Sequence, residues 1–309
     1  MSVPSHFPKQ NAAQPLLAFP LEWLSIAILA IADFILAPLT NLHFHFSLHL
    51  ANLVAGPLLV GALLARKFLA CRIQVTLEFF ALILAAMPFL TIGTYIAIAQ
   101  AWPLKDAQLL LADRFLGFDW LGWFRFVTQH PILDRYLSLL YSTLPIQILY
   151  FCLLMGLTAA FQRMRELFWL LFLALMLTML ISWWMPAMGP FEIFHLQSRG
   201  AFLPEIARVR SGVRLDISLE DLQGIITFPS FHTVMALAMI YGFRGTRFVG
   251  WVFALLNSFL LLGIPVFGGH YLVDMIAGAA VFALALVAVR VGMRDAARKD
   301  AVAMAIAPA

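Results

Sequence analysis

The chain has 309 residues, of which 63% are hydrophobic and only 12% are charged, and its mean hydropathy is +0.92. A soluble domain carries about a quarter charged residues, so the composition excludes a soluble globular protein and indicates that lipid is the main solvent. The formal net charge of +4 is divided among small clusters between apolar runs, which excludes an extended basic surface for nucleic acid.

Apolar runs close to the length that crosses a bilayer recur along the whole chain. About 20 apolar residues form one helical span. We therefore predict an all-α polytopic bundle that forms a single integral membrane domain over residues 1–309. The eight predicted spans are Leu21–Thr40, Ser47–Ala65, Val75–Gln100, Tyr136–Ala159, Leu167–Met185, Phe231–Phe243, Val249–Phe267 and His270–Met293.

The basic residues of the short loops predict the orientation of the bundle, because such residues concentrate on the cytoplasmic side. With eight spans, these clusters and both termini fall on one side, which we expect to be the cytoplasmic side of a bacterial-type plasma (inner) membrane. The long loops 101–135 and 186–230 then face outward. The clusters are Arg66, Lys67 and Arg72; Arg163 and Arg165; Arg244 and Arg247; and Arg290, Arg294, Arg298 and Lys299.

Two predicted spans and the turn between the first two carry polar groups. Ionisable side chains inside a span are functional candidates by default, and Asp33 and Glu78 are of this kind, although Glu78 lies near the inner end and is expected to reach water. His45 and His49 have the spacing of metal ligands, and His43 is close to both. No acidic or cysteine residue accompanies them in sequence, so interfacial histidines are favoured over a metal site.

The first outer loop contains an amphipathic segment, which predicts a helix along the membrane surface. A lid or packing element is favoured over a substrate-binding role. Tyr141, Ser142 and Gln147, in the fourth span, are expected to form helix–helix hydrogen bonds, and Pro145 is expected to bend that span. The apolar residues of the surface segment are Leu104, Ala107, Leu111 and Phe115, beside the charged Lys105, Asp106, Asp113 and Arg114.

The stretch TFPSFHT, residues Thr227–Thr233, begins the sixth predicted span. Pro229 has a fixed φ and Ser230 has a hydroxyl that can cap, and both are typical of a helix start. His232 is therefore expected in the first turn of a helix. The free amides of such a turn bind an anion such as phosphate.

The stretch GGHYLVD begins the last predicted span. His270 and Asp274 are four residues apart, so on a helix they share a face, and Gly269 leaves backbone amides open to an anion. Two crossings of about 20 residues each return the chain to the face of His232. We therefore expect two imidazoles, one carboxylate and two helix N-termini to converge at the outer surface.

These residue types support phosphoryl transfer without a metal or cofactor. A neutral imidazole is a nucleophile, a carboxylate fixes its tautomer, and a second, protonated imidazole supplies the proton of the leaving alkoxide. Arginines and helix ends can supply the positive charge. Taken singly, each element has a structural explanation as a packing hydrogen bond, an ion pair or a cap. Their placement on one side favours a catalytic site.

The motifs PSFHT and GGHYLVD resemble the second and third motifs of the type 2 phosphatidic acid phosphatase superfamily, which shares its helical core with vanadium haloperoxidases. The resemblance is strong over the last third of the chain and implies a catalytic core at about residues 136–293. It implies that His270 attacks phosphorus, that Asp274 orients the attacking ring, and that His232 protonates the leaving alcohol.

The chain departs from that pattern at the phosphate-binding positions. The first motif is missing, because no Arg-Pro dipeptide occurs, and Ile264 stands where the third motif has an arginine. We therefore expect other groups to hold the phosphate, with a solvated charge run as an equal alternative for each arginine. The predicted phosphate-binding residues are Ser230, Gly269, Arg210 and Arg214, with Arg208 close by.

The sequence thus predicts a membrane enzyme that cleaves a lipid phosphate at the outer leaflet, with the bilayer as its environment and with its oligomeric state open. The truncated signature is also similar to inositol phosphorylceramide synthases and sphingomyelin synthases, so an alcohol can replace water as acceptor. A secondary transporter that uses Asp33, Glu78 and Asp274 is the alternative from another class. A structural scaffold would leave the two histidines and the aspartate unexplained.

Overall fold

A computed structural model describes residues 17–45, 50–68 and 71–306. Within these residues the chain forms thirteen α-helices and one sheet of two short strands, so the all-α prediction is confirmed. In chain order the elements are α1 Pro20–Leu39, β1 Leu42–His45, α2 Leu50–Phe68, α3 Cys71–Ala99, α4 Asp106–Phe115, α5 Trp120–Gln129, α6 Pro131–Ser142, α7 Leu144–Leu157, α8 Phe161–Trp184, α9 Pro190–Ile193, α10 Leu203–Arg210, β2 Leu215–Ser218, α11 Phe231–Gly242, α12 Arg247–Phe267 and α13 Leu272–Ile306.

Five of the described helices are long and apolar enough to cross a membrane: α1, α3, α8, α12 and the first part of α13. The pair α6 and α7 gives a sixth span if it is counted as one, and it is bent by 45° beside Pro145, where we predicted a bend. The predicted count of eight spans is not confirmed. The two helices that fall short are α11, which has 12 residues, and α2, whose described apolar part is Val54–Leu64.

The largest cluster of buried apolar side chains joins five helices around α8. Phe79 of α3, Phe151 of α7, Leu170 of α8, Met239 of α11 and Ala285 of α13 all belong to this cluster, and each has at most 1% of its surface exposed. Because α11 lies within this cluster, the helix that begins at the TFPSFHT motif is held on several sides.

Partly exposed arginines pair with Glu166 at the helix ends that lie opposite the two motifs. Arg244, which follows α11, places Nη2 2.6 Å from Oε2 of Glu166 on α8. Tyr241 also donates to Glu166, and Arg290 of α13 donates to the Tyr241 hydroxyl at 2.8 Å. This network ties α8, α11 and α13 together. The basic residues that we assigned to inner loops therefore also have a structural role.

Glu78 does not reach water, and that expectation was wrong. Its carboxylate is 1% exposed and accepts hydrogen bonds from the backbone amides of Ala18 at 2.8 Å and Phe19 at 2.9 Å. These amides lie at the start of α1, where helix donors have no partner within the helix. Glu78 is therefore a cap supplied by another helix.

The two strands form a parallel pair in which Leu42 lies opposite Leu215. This pairing brings an acidic residue to the histidines of the first turn, since Nε2 of His45 lies 3.2 Å from Oδ1 of Asp216. His49 lies outside the described residues. No group of three potential ligands that could hold a metal is found in the part of the chain that the structure describes.

The predicted amphipathic helix is present as α4, and its two aspartates point inward. Asp106, Leu109 and Asp113 are buried, whereas Leu111 is 67% exposed and Phe115 is 90% exposed. The direction of the aspartates was not predicted from the sequence. Both carboxylates accept hydrogen bonds from backbone amides of other segments.

Small residues allow the spans to approach closely, as is common in membrane bundles. A Cβ atom added to Gly156 of α7 would lie 2.1 Å from Oγ1 of Thr76 on α3. We expect Gly156→Ala to destabilise the protein by about 1–3 kcal/mol through overpacking. Thermal unfolding in detergent should show a lower Tm.

Gly292→Ala in α13 is the matched control, because a Cβ atom there meets nothing within 4 Å. Alanine favours a helix over glycine by about 1 kcal/mol, so this variant should be neutral or more stable. Equal stability of Gly156→Ala and wild type would contradict the close α3–α7 contact.

Candidate active site

The helical hairpin of α11 and α12 brings the two motif histidines together. His232 lies in the first turn of α11, and His270 follows α12 after two glycines. Nδ1 of His232 is 3.4 Å from Nε2 of His270, and the ring centroids are 5.6 Å apart. The convergence of the two imidazoles that we derived from the sequence is therefore present in the structure.

The ring of His270 is oriented by a backbone carbonyl. Nδ1 of His270 lies 2.7 Å from the carbonyl oxygen of Thr227. A carbonyl only accepts, so Nδ1 carries a proton and the lone pair of the neutral ring is on Nε2. Burial lowers the pKa of His270 to about 4, so the ring is neutral at pH 7.

Asp274 lies beside His270, but not in the way that the sequence predicted. Its Oδ2 atom is 3.5 Å from Nδ1 of His270 and accepts a hydrogen bond from the amide of Tyr271 at 2.8 Å. Because α13 begins at Leu272, His270 precedes the helix, and the predicted shared helical face was wrong. Asp274 instead acts as an acidic cap in the first turn.

Tyr141 of α6 contacts the far side of His232. Its hydroxyl is 2.7 Å from Nε2 of His232, and the two rings stack with centroids 4.7 Å apart. Sequence reasoning assigned Tyr141 to helix packing and missed this contact, which spans 91 positions of the chain. Gly268 makes room for it, since an added Cβ atom would lie 3.1 Å from the Tyr141 hydroxyl.

The first turn of α11 offers free amides, as predicted. Oγ of Ser230 accepts from the amide of Thr233 at 3.3 Å, and the amide of Ser230 donates to the carbonyl of Asp274 at 3.0 Å. Among the described residues, no group accepts from the amides of Phe231 and His232. Ser230 is thus a cap, and the amides that follow it are open to an anion.

The first turn of α13 is already occupied. Asp113 of α4 accepts from the amide of Leu272 at 2.9 Å and from that of Val273 at 2.8 Å. Gly269 has a φ of +62°, and an added Cβ atom would lie 2.6 Å from the ring of Phe191. Gly269 therefore serves a turn against an aromatic ring. Among the described residues, no group accepts from the amides of Gly269 and His270, so the phosphate-binding role of Gly269 stays a prediction.

A second aspartate of α4 holds the loop in front of the site. Asp106 accepts from the amide of Gly189 at 2.7 Å and from the hydroxyl of Tyr271 at 3.3 Å. Burial raises the pKa of both Asp106 and Asp113, and the amide hydrogen bonds partly oppose that rise. Sequence reasoning noticed these two residues only as part of an amphipathic pattern.

The two predicted arginines lie in different places. Arg210 donates from Nη2 to the carbonyl of Trp102 at 2.7 Å, and its Nη1 is buried without a hydrogen-bond partner. Burial lowers the pKa of Arg210, and the charge of Asp106 opposes this. Arg214 lies on the strand side, with Nη2 3.9 Å from Asp216. Within the described residues, neither arginine hydrogen-bonds to His232 or His270.

The arrangement can therefore perform nucleophilic chemistry with proton transfer. Nε2 of His270 presents a lone pair towards a second imidazole, which can donate or accept a proton. The nucleophile is shielded, because His270 is 1% exposed. An open helix end lies beside it for an anionic group.

Comparison with known proteins gives one result. A family model described as the PAP2 superfamily matches residues 107–288, which is more than half of the chain and includes both motifs and α4. The search of curated proteins and the search of solved structures each found no match.

The cap that α4 supplies to α13 should be important for stability. Asp113→Ala leaves the amides of Leu272 and Val273 without acceptors, so we expect a loss of about 1–3 kcal/mol. Thermal unfolding in detergent measures this loss of stability as a lower Tm. Asp216→Ala is the control, since Asp216 is exposed and surface ion pairs contribute about 0–1 kcal/mol. Equal effects of the two substitutions would argue against a capping role of Asp113.

Proposed function

This chain belongs to the PAP2 superfamily, whose members are phosphatases or phosphotransferases, and on that premise we propose that it cleaves phosphate esters of membrane lipids. The reaction proceeds through a phosphohistidine on His270. The observation that carries the proposal is the pair of imidazoles 3.4 Å apart, one of which has its lone pair fixed on the facing nitrogen.

In the first step, Nε2 of His270 forms a bond to phosphorus while the bond from phosphorus to the leaving oxygen breaks. The departing oxygen takes the proton of Nδ1 of His232, so an alcohol leaves instead of an alkoxide. In the second step, an acceptor hydroxyl attacks the phosphohistidine and returns a proton to Nδ1. Water as acceptor gives phosphate, and an alcohol gives a new phosphate ester.

The two imidazoles move apart when substrate enters, because a gap of 3.4 Å cannot hold a phosphoryl group. The amides of Phe231 and His232, together with those of Gly269 and His270, are the backbone donors that we assign to its oxygens. Arg210 is the arginine that we assign to the phosphate, since its Nη1 is unpaired. Arg214, next to Asp216, is a weaker candidate.

A lipid substrate fits the surroundings of His232. The described part of the chain has five to six apolar helices of membrane-spanning length. An apolar cavity of about 220 Å³ lies between α3, α7 and α8, and Phe231 and Met235 of α11 line it. These two residues flank His232 in sequence, so a hydrocarbon chain in the cavity would keep its headgroup near the imidazoles. That the site faces the outer leaflet stays a prediction from the basic residues of the short loops.

The test is incubation of the purified protein with labelled phosphatidate, with and without alcohol acceptors. We expect release of labelled phosphate or formation of a new phosphomonoester of the added alcohol, and His270→Ala should lower either activity about 10³-fold or more, since it removes the nucleophile. Free phosphate as sole product assigns a phosphatase, and a new phosphomonoester assigns a transferase. Full activity of a folded His270→Ala protein would refute the phosphohistidine.

The pH dependence of kcat/KM provides a second test. Only neutral His270 has a lone pair for attack, and burial lowers its pKa from the ordinary 6.5 to about 4. Activity should therefore persist as the pH falls through 6.5, and the loss due to protonation of His270 should come only near pH 4. Intrinsic fluorescence at each pH separates this loss from unfolding. The free substrate phosphate has its own pKa of about 6, which is titrated separately. An acidic limb near 6.5 that remains after correction for the substrate would contradict the assignment.

A further inference from the structure

The hydroxyl of Tyr141 has no part in the reaction described above, yet it makes a short polar contact in the site. It lies 2.7 Å from Nε2 of His232, on the side of the ring opposite His270. The stacking of the two rings, with planes inclined by 27°, also restrains the plane of the imidazole. Tyr141 thus restrains the orientation of the His232 ring and contacts one of its two nitrogens. His232 is the proposed acid.

The hydrogen bonds of the site determine which nitrogen of each histidine ring carries a proton. The carbonyl of Thr227 requires a proton on Nδ1 of His270, so Nε2 of His270 is an acceptor. Nδ1 of His232 faces this acceptor at 3.4 Å and must carry a proton, because two lone pairs would repel each other. Nε2 of neutral His232 is then the acceptor for the Tyr141 hydroxyl.

We propose that Tyr141 is a positioning residue that keeps Nδ1 of His232 as the nitrogen that exchanges the proton of the reaction. The inference rests on the proposed function. A hydroxyl both donates and accepts, so Tyr141 pairs with Nε2 of His232 in each protonation state. It donates to bare Nε2 in the resting enzyme and accepts from protonated Nε2 when His232 is an imidazolium or has just given up its Nδ1 proton.

The path of the protons through one turnover shows why the Tyr141 hydroxyl is needed. The monoanion of the phosphate ester brings one proton, which neutral His232 takes up on Nε2 when the substrate binds. During P–O cleavage the resulting imidazolium loses its Nδ1 proton to the leaving oxygen. The proton on Nε2 stays there, accepted by the Tyr141 oxygen, until the product phosphate takes it back at the end of the cycle. Nδ1 is then bare and faces the phosphohistidine, where it takes the proton of the attacking water or alcohol. Without the hydroxyl, Nε2 has no fixed partner, and the ring can rotate or change tautomer.

Tyr141→Phe tests the proposal with two substrates that differ in the leaving group. The leaving group of phosphatidate is an alkoxide, which needs a proton. The leaving group of para-nitrophenyl phosphate is para-nitrophenolate, which is stable as an anion. General acid catalysis contributes about 10²–10⁴-fold. We therefore expect kcat/KM on phosphatidate to fall by about 10-fold or more, and kcat/KM on para-nitrophenyl phosphate to change by less than about twofold. The ratio kcat/KM is used because it excludes the breakdown of the phosphohistidine, which both substrates share. An equal loss on both substrates, or no loss on either, would overturn the proposal.

NMR of isotope-labelled histidine ring nitrogens gives a result that does not depend on activity. The wild-type protein should show His232 protonated on Nδ1 and bare on Nε2, and Tyr141→Phe should change that pattern. His232→Asn identifies the signals. A wild-type His232 protonated on Nε2, or an unchanged pattern in Tyr141→Phe, would overturn the role of Tyr141. If the wild type cleaves neither ester, the proposed function fails, and these spectra alone decide the positioning role.

Tyr136→Phe is the matched control on the same helix. Tyr136 is 65% exposed, and among the described residues its hydroxyl makes no hydrogen bond. This variant should match the wild type with both substrates and in the histidine spectrum. Thermal unfolding of both tyrosine variants in detergent shows whether each is folded, and the ratio of the two substrate activities corrects for a partly unfolded sample.

Discussion

The hydrogen bond from Nδ1 of His270 to the carbonyl of Thr227 is the interaction on which the site depends. It joins the segment before α11 to the segment before α13. A second hydrogen bond connects the same two regions, because the amide of Ser230 donates to the carbonyl of Asp274. The two motifs are therefore one structural unit, although about 40 residues separate them in sequence. The same bond places the lone pair of the His270 ring on Nε2, which faces His232.

Two carboxylates, Asp106 and Asp113, lie around a site that we propose to bind phosphate. Their hydrogen bonds explain how negative side chains can surround a site for an anion. Asp106 and Asp113 each accept backbone amides, so their oxygens are directed into the protein. Burial raises the pKa of both, which shifts them towards the neutral form and weakens their repulsion of phosphate. The open amides of Phe231 and His232 remain as donors on the other side of the imidazoles.

Sequence reasoning predicted the features that depend on local pattern. Hydropathy located the long helices, and the Pro-Ser pair located the start of α11, so the meeting of His232 and His270 could be derived from two crossings. It did not predict contacts between distant segments. Glu78 caps another helix, Asp113 caps α13, and Tyr141 contacts His232, and each is a side chain whose partner lies at least 59 positions away. Periodicity describes the face of one helix and carries no information on what covers that face.

The orientation of α4 connects an exposed apolar surface to the turn that contains His270. Phe115 and Leu111 are exposed on one face of this helix, while Asp113 on the other face accepts from the amides of Leu272 and Val273, just after His270. A displacement of α4 therefore reaches the start of α13 through a single carboxylate. One side chain in this way links the surroundings of a separate helix face to the alignment of the nucleophile.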